Sequence, residues 1–132
     1  IEQGVQADKL GDYCYQNANF GLFRVLIPAL LGYSFTGTDA TDDLQTRQRY
    51  LTYVQQQVLE PAGVTGASAS QTPGDPTYTY EYPSLNLPGW NPGDFAGTVG
   101  GYGWYMSVEE AGKLYATVLT TADESVLTAA WK

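Results

Sequence analysis

Apolar residues recur at three- and four-residue spacing in several stretches of the chain, which is the spacing of one face of an α-helix. In the first stretch this pattern predicts a helix over residues 19–31, capped by Asn17 or Asn19 through their short side chains. Pro28 is expected to bend or shorten the helix because proline lacks an N–H, and Gly32 is expected to end it. The face that we expect to be buried contains Phe20, Phe23, Ile27, Leu30 and Leu31.

A second helix is predicted from residue 41 or 42 to residue 59. Asp42 and Asp43 suit the positive end of its dipole, and Pro61 with Gly63 marks its end. The apolar stripe of this helix consists of Leu44, Leu51, Val54 and Val58, with Tyr50 beside it. One face of the helix is therefore expected to pack on a core.

A third helix is predicted to follow Ser107 and to run to residue 119. Ser107 and Glu110 have the three-residue spacing of a capping box, in which each side chain bonds to the other residue's amide. The inward face is predicted to contain Val108, Ala111, Leu114, Tyr115 and Val118. A short last helix is predicted over residues 123–131, whereas residues 1–10 fit either a short helix or an extended arm.

Residues 65–100 differ in kind from the helical stretches, because glycine, proline, serine and threonine dominate them. Residues 77–82 alternate in a strand-like way, but the prolines that follow exclude a long strand. A loop of this length is usually functional or covered by a partner. The glycines of residues 97–103 indicate tight backbone packing and not a phosphate loop, since no Lys-Ser/Thr pair follows them. The sequence thus predicts one domain over residues 1–132, mainly α with a small irregular and β segment.

The amino-acid composition argues against several classes of function. The formal net charge is −8, with 14 acidic and 6 basic residues, which argues against nucleic acid and against an anionic membrane surface. There is no histidine and there is one cysteine, Cys14, so Ser-His-Asp catalysis, the usual zinc sites and an intrachain disulfide are excluded. Cys14 is expected to be a buried thiol. No metal or cofactor is implied, and Asp39, Asp42 and Asp43 lack the spacing of a calcium loop.

The candidate site is the pair Tyr15 and Asn17, which lies on a turn just ahead of the first predicted helix. Polar side chains on a turn that packing holds in place are suited to chemistry. On local sequence alone the same residues also fit a packed tyrosine and a helix cap.

Several stretches in chain order resemble segments of one family. YCYQNANFGL (residues 13–22) resembles the Tyr-x-Asn segment of the serine β-lactamase and penicillin-binding-protein family, in its class C β-lactamase, D-Ala-D-Ala carboxypeptidase and esterase branch. YVQQQVLEPAGV (53–64) and GGYGWYMSVEEAGKL (100–114) resemble two later segments of that family. The resemblance implies that the chain is the helical lobe of a β-lactamase-like fold, a piece of a larger serine hydrolase.

The resemblance also implies a mechanism. A serine from an S-x-x-K motif attacks a carbonyl, and the motif's lysine shares the general-base work with the tyrosine of Tyr-x-Asn. By position, Tyr15 becomes the base and Asn17 the partner that orients the lysine or the substrate amide. Neither S-x-x-K nor a K-T-G or H-x-G strand after the Tyr-x-Asn motif occurs in this chain. A free phenol has a pKa of about 10 and needs a nearby cation to act as a base, so the chain alone is predicted to be inactive.

Two expectations concern partners and location. The α/β lobe of the parent enzyme would cover part of the chain, and in its absence we expect self-association through Trp90, Phe95 and Trp104. The substrate of the parent would be a small molecule or a peptide, and the family resemblance alone suggests an exported protein, periplasmic or extracellular. The alternative function is a non-catalytic binding module for peptide or carbohydrate, because eleven tyrosines and three tryptophans supply many amphipathic rings.

Overall fold

The computed structural model describes residues 11, 15–71, 74, 77–80, 88–120 and 126–128. Within them, helices span Asn17–Gly21 (α1), Phe23–Leu30 (α2), Asp39–Val54 (α3) and Val108–Leu119 (α4), and a π-helical turn, Gln55–Leu59, continues α3. Isolated antiparallel bridges join Ser68 to Tyr105 and Thr79 to Trp90. The predicted fold class, mainly α with a small irregular and β segment, is confirmed.

The first predicted helix begins two residues earlier than expected and is divided in two at Leu22. Gln16 is the residue before α1, and its side chain makes no capping hydrogen bond to the first turn. The prediction that Asn17 or Asn19 caps the helix is therefore wrong, because both residues lie inside α1. Pro28 is buried within α2, which continues to Leu30.

Glycine ends the helices where the sequence predicts an end. Gly32 has φ +87°, and the next amide, that of Tyr33, donates to the carbonyl of Pro28 at 2.9 Å. Gly63 has φ +72°, and the amide after it likewise reaches back to the carbonyl of Leu59 at 2.9 Å. Both ends follow the Schellman pattern, in which a left-handed residue lets the chain satisfy the last carbonyls of the helix.

The apolar face predicted for residues 19–31 is mostly exposed, which corrects the sequence-based expectation. Ile27 packs against the core, but Phe20, Phe23, Leu30 and Leu31 are exposed, Leu30 by 86%. The apolar pattern is thus wider than the strip of α2 that α3 and the core cover. The uncovered strip includes Phe23, Leu26 and Leu30, which lie on one side of the helix at three- and four-residue spacing.

The core consists of two small clusters that share Val54 and Trp104. One contains buried Tyr50, Ala69 and Val99, and the other contains buried Leu59, Ala62 and Val64. Tyr50, predicted to lie beside the stripe of the second helix, is therefore a core residue, whereas Leu44 is 41% exposed. Trp104 connects the end of α3 with the segment before α4 because it packs on both clusters.

The capping box of α4 is confirmed, but its predicted inward face is only partly right. The backbone amide of Glu110 donates to the hydroxyl of Ser107, and the backbone amide of Ser107 donates to the carboxylate of Glu110, both at 3.1 Å. Leu114 packs on the second core cluster, whereas Val108 is 91% exposed and Tyr115 is 66% exposed. The helix contacts the core through a narrow strip, so the outer members of its apolar pattern remain in solvent.

The remaining predicted elements lie partly outside the described residues. In the strand predicted over residues 77–82, Thr79 exchanges both backbone bonds with Trp90 at 2.9 Å, and residues 81–82 are not described. The helix predicted over residues 123–131 is not observed at the described residues 126–128, which form a bend. Residues 1–10 and Cys14 lie outside the described part of the chain.

Asp42 binds the loop that joins α2 to α3. Its carboxylate accepts bonds from the hydroxyl of Tyr33 (2.6 Å), the amide and hydroxyl of Thr36 (2.9 and 3.0 Å) and the amide of Gly37 (3.0 Å). These donors favour the ionised form, and the amide of Thr36 contributes most to holding the pKa of Asp42 below its ordinary value. Asp42 therefore does more than complement a helix dipole.

We expect Asp42→Asn to lower the melting temperature at neutral pH, because the amide cannot accept all of these bonds. A carboxyl whose pKa is lowered by folding stabilises the protein at any pH above its unfolded-state pKa, about 3.8. This stabilisation is lost as the pH falls through the lower pKa of the folded state. The difference in melting temperature between the wild type and Asp42→Asn should therefore shrink below about pH 4. Asp39→Asn, a change in the same helical turn, is the control in calorimetric melts. An Asp42→Asn effect no larger than the Asp39→Asn effect, or one independent of pH, would contradict this role.

Candidate functional site at the start of the first helix

Tyr15 and Asn17 lie in solvent at the entrance to α1. Tyr15 is 64% exposed, and its ring is 6.2 Å from that of Phe20, centroid to centroid. Asn17 is the first residue of α1 and is also exposed. The predicted pair is therefore close together and accessible, although Asn17 belongs to the helix and not to the turn ahead of it.

The glycine-rich turn packs directly against the backbone of α1. A Cβ atom on Gly101 would lie 3.1 Å from the carbonyl oxygen of Asn17, and one on Gly100 would lie 3.0 Å from that of Phe20. Larger residues would push the turn away from the helix. The interpretation that the glycines of residues 97–103 serve tight backbone packing is confirmed for Gly100 and Gly101, whereas a Cβ on Gly97 would meet no atom within 4 Å.

The segments that carry the family resemblance pack together. Residues 100–101 support α1, and Trp104 and Leu114, in the same segment, pack on Leu59, Ala62 and Val64 of residues 53–64. The Tyr-x-Asn turn is thus connected to the core through the segment 100–114. This connection supports the backbone of Asn17, and a site needs such support if it is to hold a geometry.

Two of the cations in the described residues form ion pairs with carboxylates. The guanidinium of Arg24, on α2, lies 2.6 Å from the carboxylate of Asp43. Lys113 lies 2.8 Å from Glu109 on α4, and Lys9 and Lys132 fall outside the described residues. In the described part of the chain, Tyr15 has no recorded bond to a lysine that could help it to act as a base.

Two cavities adjoin Trp104, away from Tyr15. One, of about 410 Å³, lies beside the end of α3 and is lined by Leu51, Gln55, Gln56 and Glu60 together with Ser68 and Trp104. The other, of about 480 Å³, lies beside the start of α4 and is lined by Gln71, Thr77, Tyr105 and Glu110 together with Ser68 and Trp104. We call the pair of cavities the Trp104 groove. Both volumes fall within the range of about 300–1,000 Å³ that is common for ligand sites.

Hydrogen bonds hold the polar wall of the Trp104 groove in place. The hydroxyl of Tyr105 donates to the carbonyl of Gly93 at 2.8 Å and accepts from the amide nitrogen of Gln71 at 3.0 Å. Glu110 accepts from the amide of Gly66 at 2.6 Å and from the amide of Ser107 at 3.1 Å. These two bonds keep the pKa of the Glu110 carboxyl below its ordinary value; the amide of Ser107 contributes most and that of Gly66 second. The carboxylate is therefore ionised at neutral pH.

Comparison with known proteins gave no match: no family model matches the chain, and no curated protein or solved structure matches it. The resemblance to serine β-lactamases stays a prediction that rests on the residues quoted above.

The aromatic residues expected to mediate self-association differ in exposure. Trp90 is 56% exposed, but Phe95 and Trp104 are partly buried. Phe95 stacks on Tyr105 with ring centroids 5.5 Å apart and meets Tyr102 edge-on at the same distance. The larger uncovered apolar surface lies on α1 and α2, and it includes Phe20, Phe23, Leu26 and Leu30.

The described residues contain no group of three or more His, Cys, Asp or Glu side chains that could hold a metal ion. The carboxylates of Asp42 and Asp43 bind Tyr33, loop donors and Arg24 instead. No described helix is long and apolar enough to cross a membrane.

The Trp104 groove was missed from the sequence, and little in the sequence could have revealed it. Gln55, Gln71 and Glu110 are far apart along the chain and follow no common spacing. The nearest signal is the capping box, which places Glu110 at the start of α4 but does not predict that it also binds Gly66, 44 residues earlier.

Proposed function

We propose that this chain is a segment of a serine hydrolase that acts on β-lactam, peptide or ester carbonyls through an acyl-enzyme. The chain would be the helical lobe that carries the Tyr-x-Asn motif. The observation that supports this proposal best is that residues 100–101 pack against the backbone of α1, with Gly101 next to the carbonyl oxygen of Asn17. The segments that resemble the family thus form one connected unit.

In the proposed reaction a serine oxygen bonds to the carbonyl carbon while its proton passes to a base. Tyr15, with a lysine close to it, is that base, because a phenolate can hold the proton until the leaving group takes it. Asn17 orients the lysine or the substrate amide. Water then adds to the acyl carbon and gives a proton to the same base, which passes it to the serine oxygen as the acyl–serine bond breaks.

The serine, the lysine and the strand that holds the oxyanion would come from the α/β lobe of a longer parent protein. The exposed strip of Phe23, Leu26 and Leu30 is consistent with a lobe that lacks its neighbour, since water-exposed apolar surface of this kind is costly. The chain by itself is therefore proposed to be inactive, and self-association in isolation would have the same cause.

The proposal is tested first on the reading frame that encodes this chain. We expect it to encode an S-x-x-K serine, and a frame without one overturns the proposal. The purified chain should give no detectable turnover of a chromogenic cephalosporin or a p-nitrophenyl ester. Turnover by the chain that disappears in Tyr15→Phe would contradict the expected dependence on a second lobe.

A second candidate is a non-catalytic binding module for carbohydrate or peptide. It is favoured by exposed rings in residues 77–80 and 88–105, where Tyr78, Tyr80, Trp90 and Tyr102 are each more than half exposed. Aromatic rings supply rigid, amphipathic contact area at a small cost in conformational entropy. Binding of a sugar or peptide by a chain whose reading frame encodes no S-x-x-K serine would distinguish this candidate from the first.

A further inference from the structure

We propose that the Trp104 groove is a binding site for a neutral, polyhydroxylated ligand, that is, a carbohydrate. This proposal rests on the second candidate function and assigns it a specific site. The two cavities of the groove, of about 410 and 480 Å³, share Ser68 and Trp104 in their walls. A ligand that reaches past these two residues would contact the end of α3 and the start of α4 at once.

The polar groups of the groove match the hydroxyl groups of a sugar. Carboxamides from Gln55, Gln56 and Gln71 and carboxylates from Glu60 and Glu110 line it. Amides donate and accept hydrogen bonds and carboxylates only accept, whereas each sugar hydroxyl does both. The indole of Trp104, partly buried in the wall between the cavities, supplies an apolar ring for the C–H face of a sugar.

The charge of the groove disfavours anionic ligands. No lysine or arginine lines either of the two cavities described, whereas Glu60 and Glu110 do. A phosphate or carboxylate would therefore meet negative charge without a cation. A cationic peptide would be attracted by the charge, but the groove's carboxylates bind neutral donors: Gln55 approaches Glu60 at 3.4 Å, and the amide of Gly66 donates to Glu110. Neutral donors are what a sugar offers.

The walls are fixed before a ligand arrives, which reduces the entropy cost of binding. Trp104 packs on both core clusters, and Tyr105 is bonded to Gly93 and to Gln71. On the other side, the π-helical turn sets the direction of Gln55 and Gln56. Such turns interrupt a helix at an energetic cost and are frequent at functional sites.

The test is to titrate the intact chain separately with three probes: a tetramer of β-1,4-linked glucose, a tetramer of β-1,4-linked N-acetylglucosamine, and tetralysine. Binding is measured by calorimetry and by NMR chemical-shift changes. We expect one of the sugars to bind. Gln56→Ala should weaken the binding about two- to tenfold, the value of one lost hydrogen bond, and Trp104→Phe should weaken it by a similar factor. Gln57→Ala, in the same π-helical turn but outside the two linings, should change it less than twofold.

The outcomes separate the site from the function. If Trp90→Ala abolishes sugar binding and Gln56→Ala leaves it intact, the groove is not the site, but the chain is still a binding module. If neither sugar binds, both the groove as a sugar site and the chain as a carbohydrate-binding module are overturned. Binding of tetralysine alone assigns the groove to cationic peptides and overturns the present proposal. Melting curves for each variant, Trp104→Phe above all, show whether a loss of binding is a loss of fold.

Discussion

Replacing Tyr15 by phenylalanine in the longer hydrolase proposed above is expected to slow turnover by about 10²–10⁴-fold, the usual contribution of a general base. The change removes one oxygen atom from a side chain that is 64% exposed, so stability should hardly change. Rates for a chromogenic cephalosporin across pH 5–10 are the measurement. The acidic limb of the pH profile should be lost together with the rate, because that limb reports the base.

Tyr115→Phe is the matched control for this change. Tyr115 lies on α4, is exposed to a similar degree, at 66%, and should retain the wild-type rate and pH profile. If Tyr15→Phe also retains the rate within about twofold, Tyr15 is not the base, and the proposed role fails even if the parent proves to be a hydrolase. Loss of rate with an unchanged pH profile would assign Tyr15 a positioning role instead.

Replacing Gly103 by alanine is expected to cost the largest amount of stability of any change considered, roughly 2–5 kcal/mol. Gly103 has φ +103°, a region that costs a residue with a Cβ about 1–2 kcal/mol. The added Cβ would also overlap the Cβ of Phe95, which is not the free end of a flexible side chain. Relieving an overlap of this kind by shifting backbone costs about 1–3 kcal/mol more.

The damage from Gly103→Ala should extend to the neighbouring rings. Phe95 stacks on Tyr105 and donates its amide to the carbonyl of Ala69 at 3.0 Å, so its displacement disturbs the first core cluster. For a chain of this size a loss of several kcal/mol lowers the melting temperature by more than about 10 °C. Thermal melts by circular dichroism are the measurement.

Gly112→Ala provides a control of opposite sign. Gly112 lies inside α4, its φ is not positive, and a Cβ there would meet no atom within 4 Å. Alanine is the better helix former by about 1 kcal/mol, so this variant should melt at a slightly higher temperature. Equal melting temperatures for the Gly103 and Gly112 variants would show that the turn yields easily and that its glycines are not required.

The two proposed sites lie on different parts of the fold. Tyr15 and Asn17 stand at the start of α1, whereas the Trp104 groove lies between the end of α3 and the start of α4. The segment 100–107 contacts both, since its glycines support α1 and Trp104 lines the groove. Substitutions that leave this segment in place, such as Tyr15→Phe and Gln56→Ala, should act on one site and not on the other, as expected for residues that share no partner.

The sequence by itself determined the local features of this protein. The three- and four-residue periods located the helices, and Gly32, Gly63 and the Ser107–Glu110 box located their ends to within a few residues. These features are local because each depends on backbone bonds between residues at most five apart. The position of Tyr15 and Asn17 beside a helix start is of the same kind.

Only the tertiary structure decided which apolar residues are buried and which polar residues meet. The period of an amphipathic helix marks the side that is apolar, but the width of the covered strip depends on neighbours, so Ile27 is packed and Leu30 is exposed. Trp104 became the centre of two clusters, and Glu110 met Gly66, through contacts between residues distant along the chain. No local spacing encodes such contacts, because they form only when separate segments pack against one another.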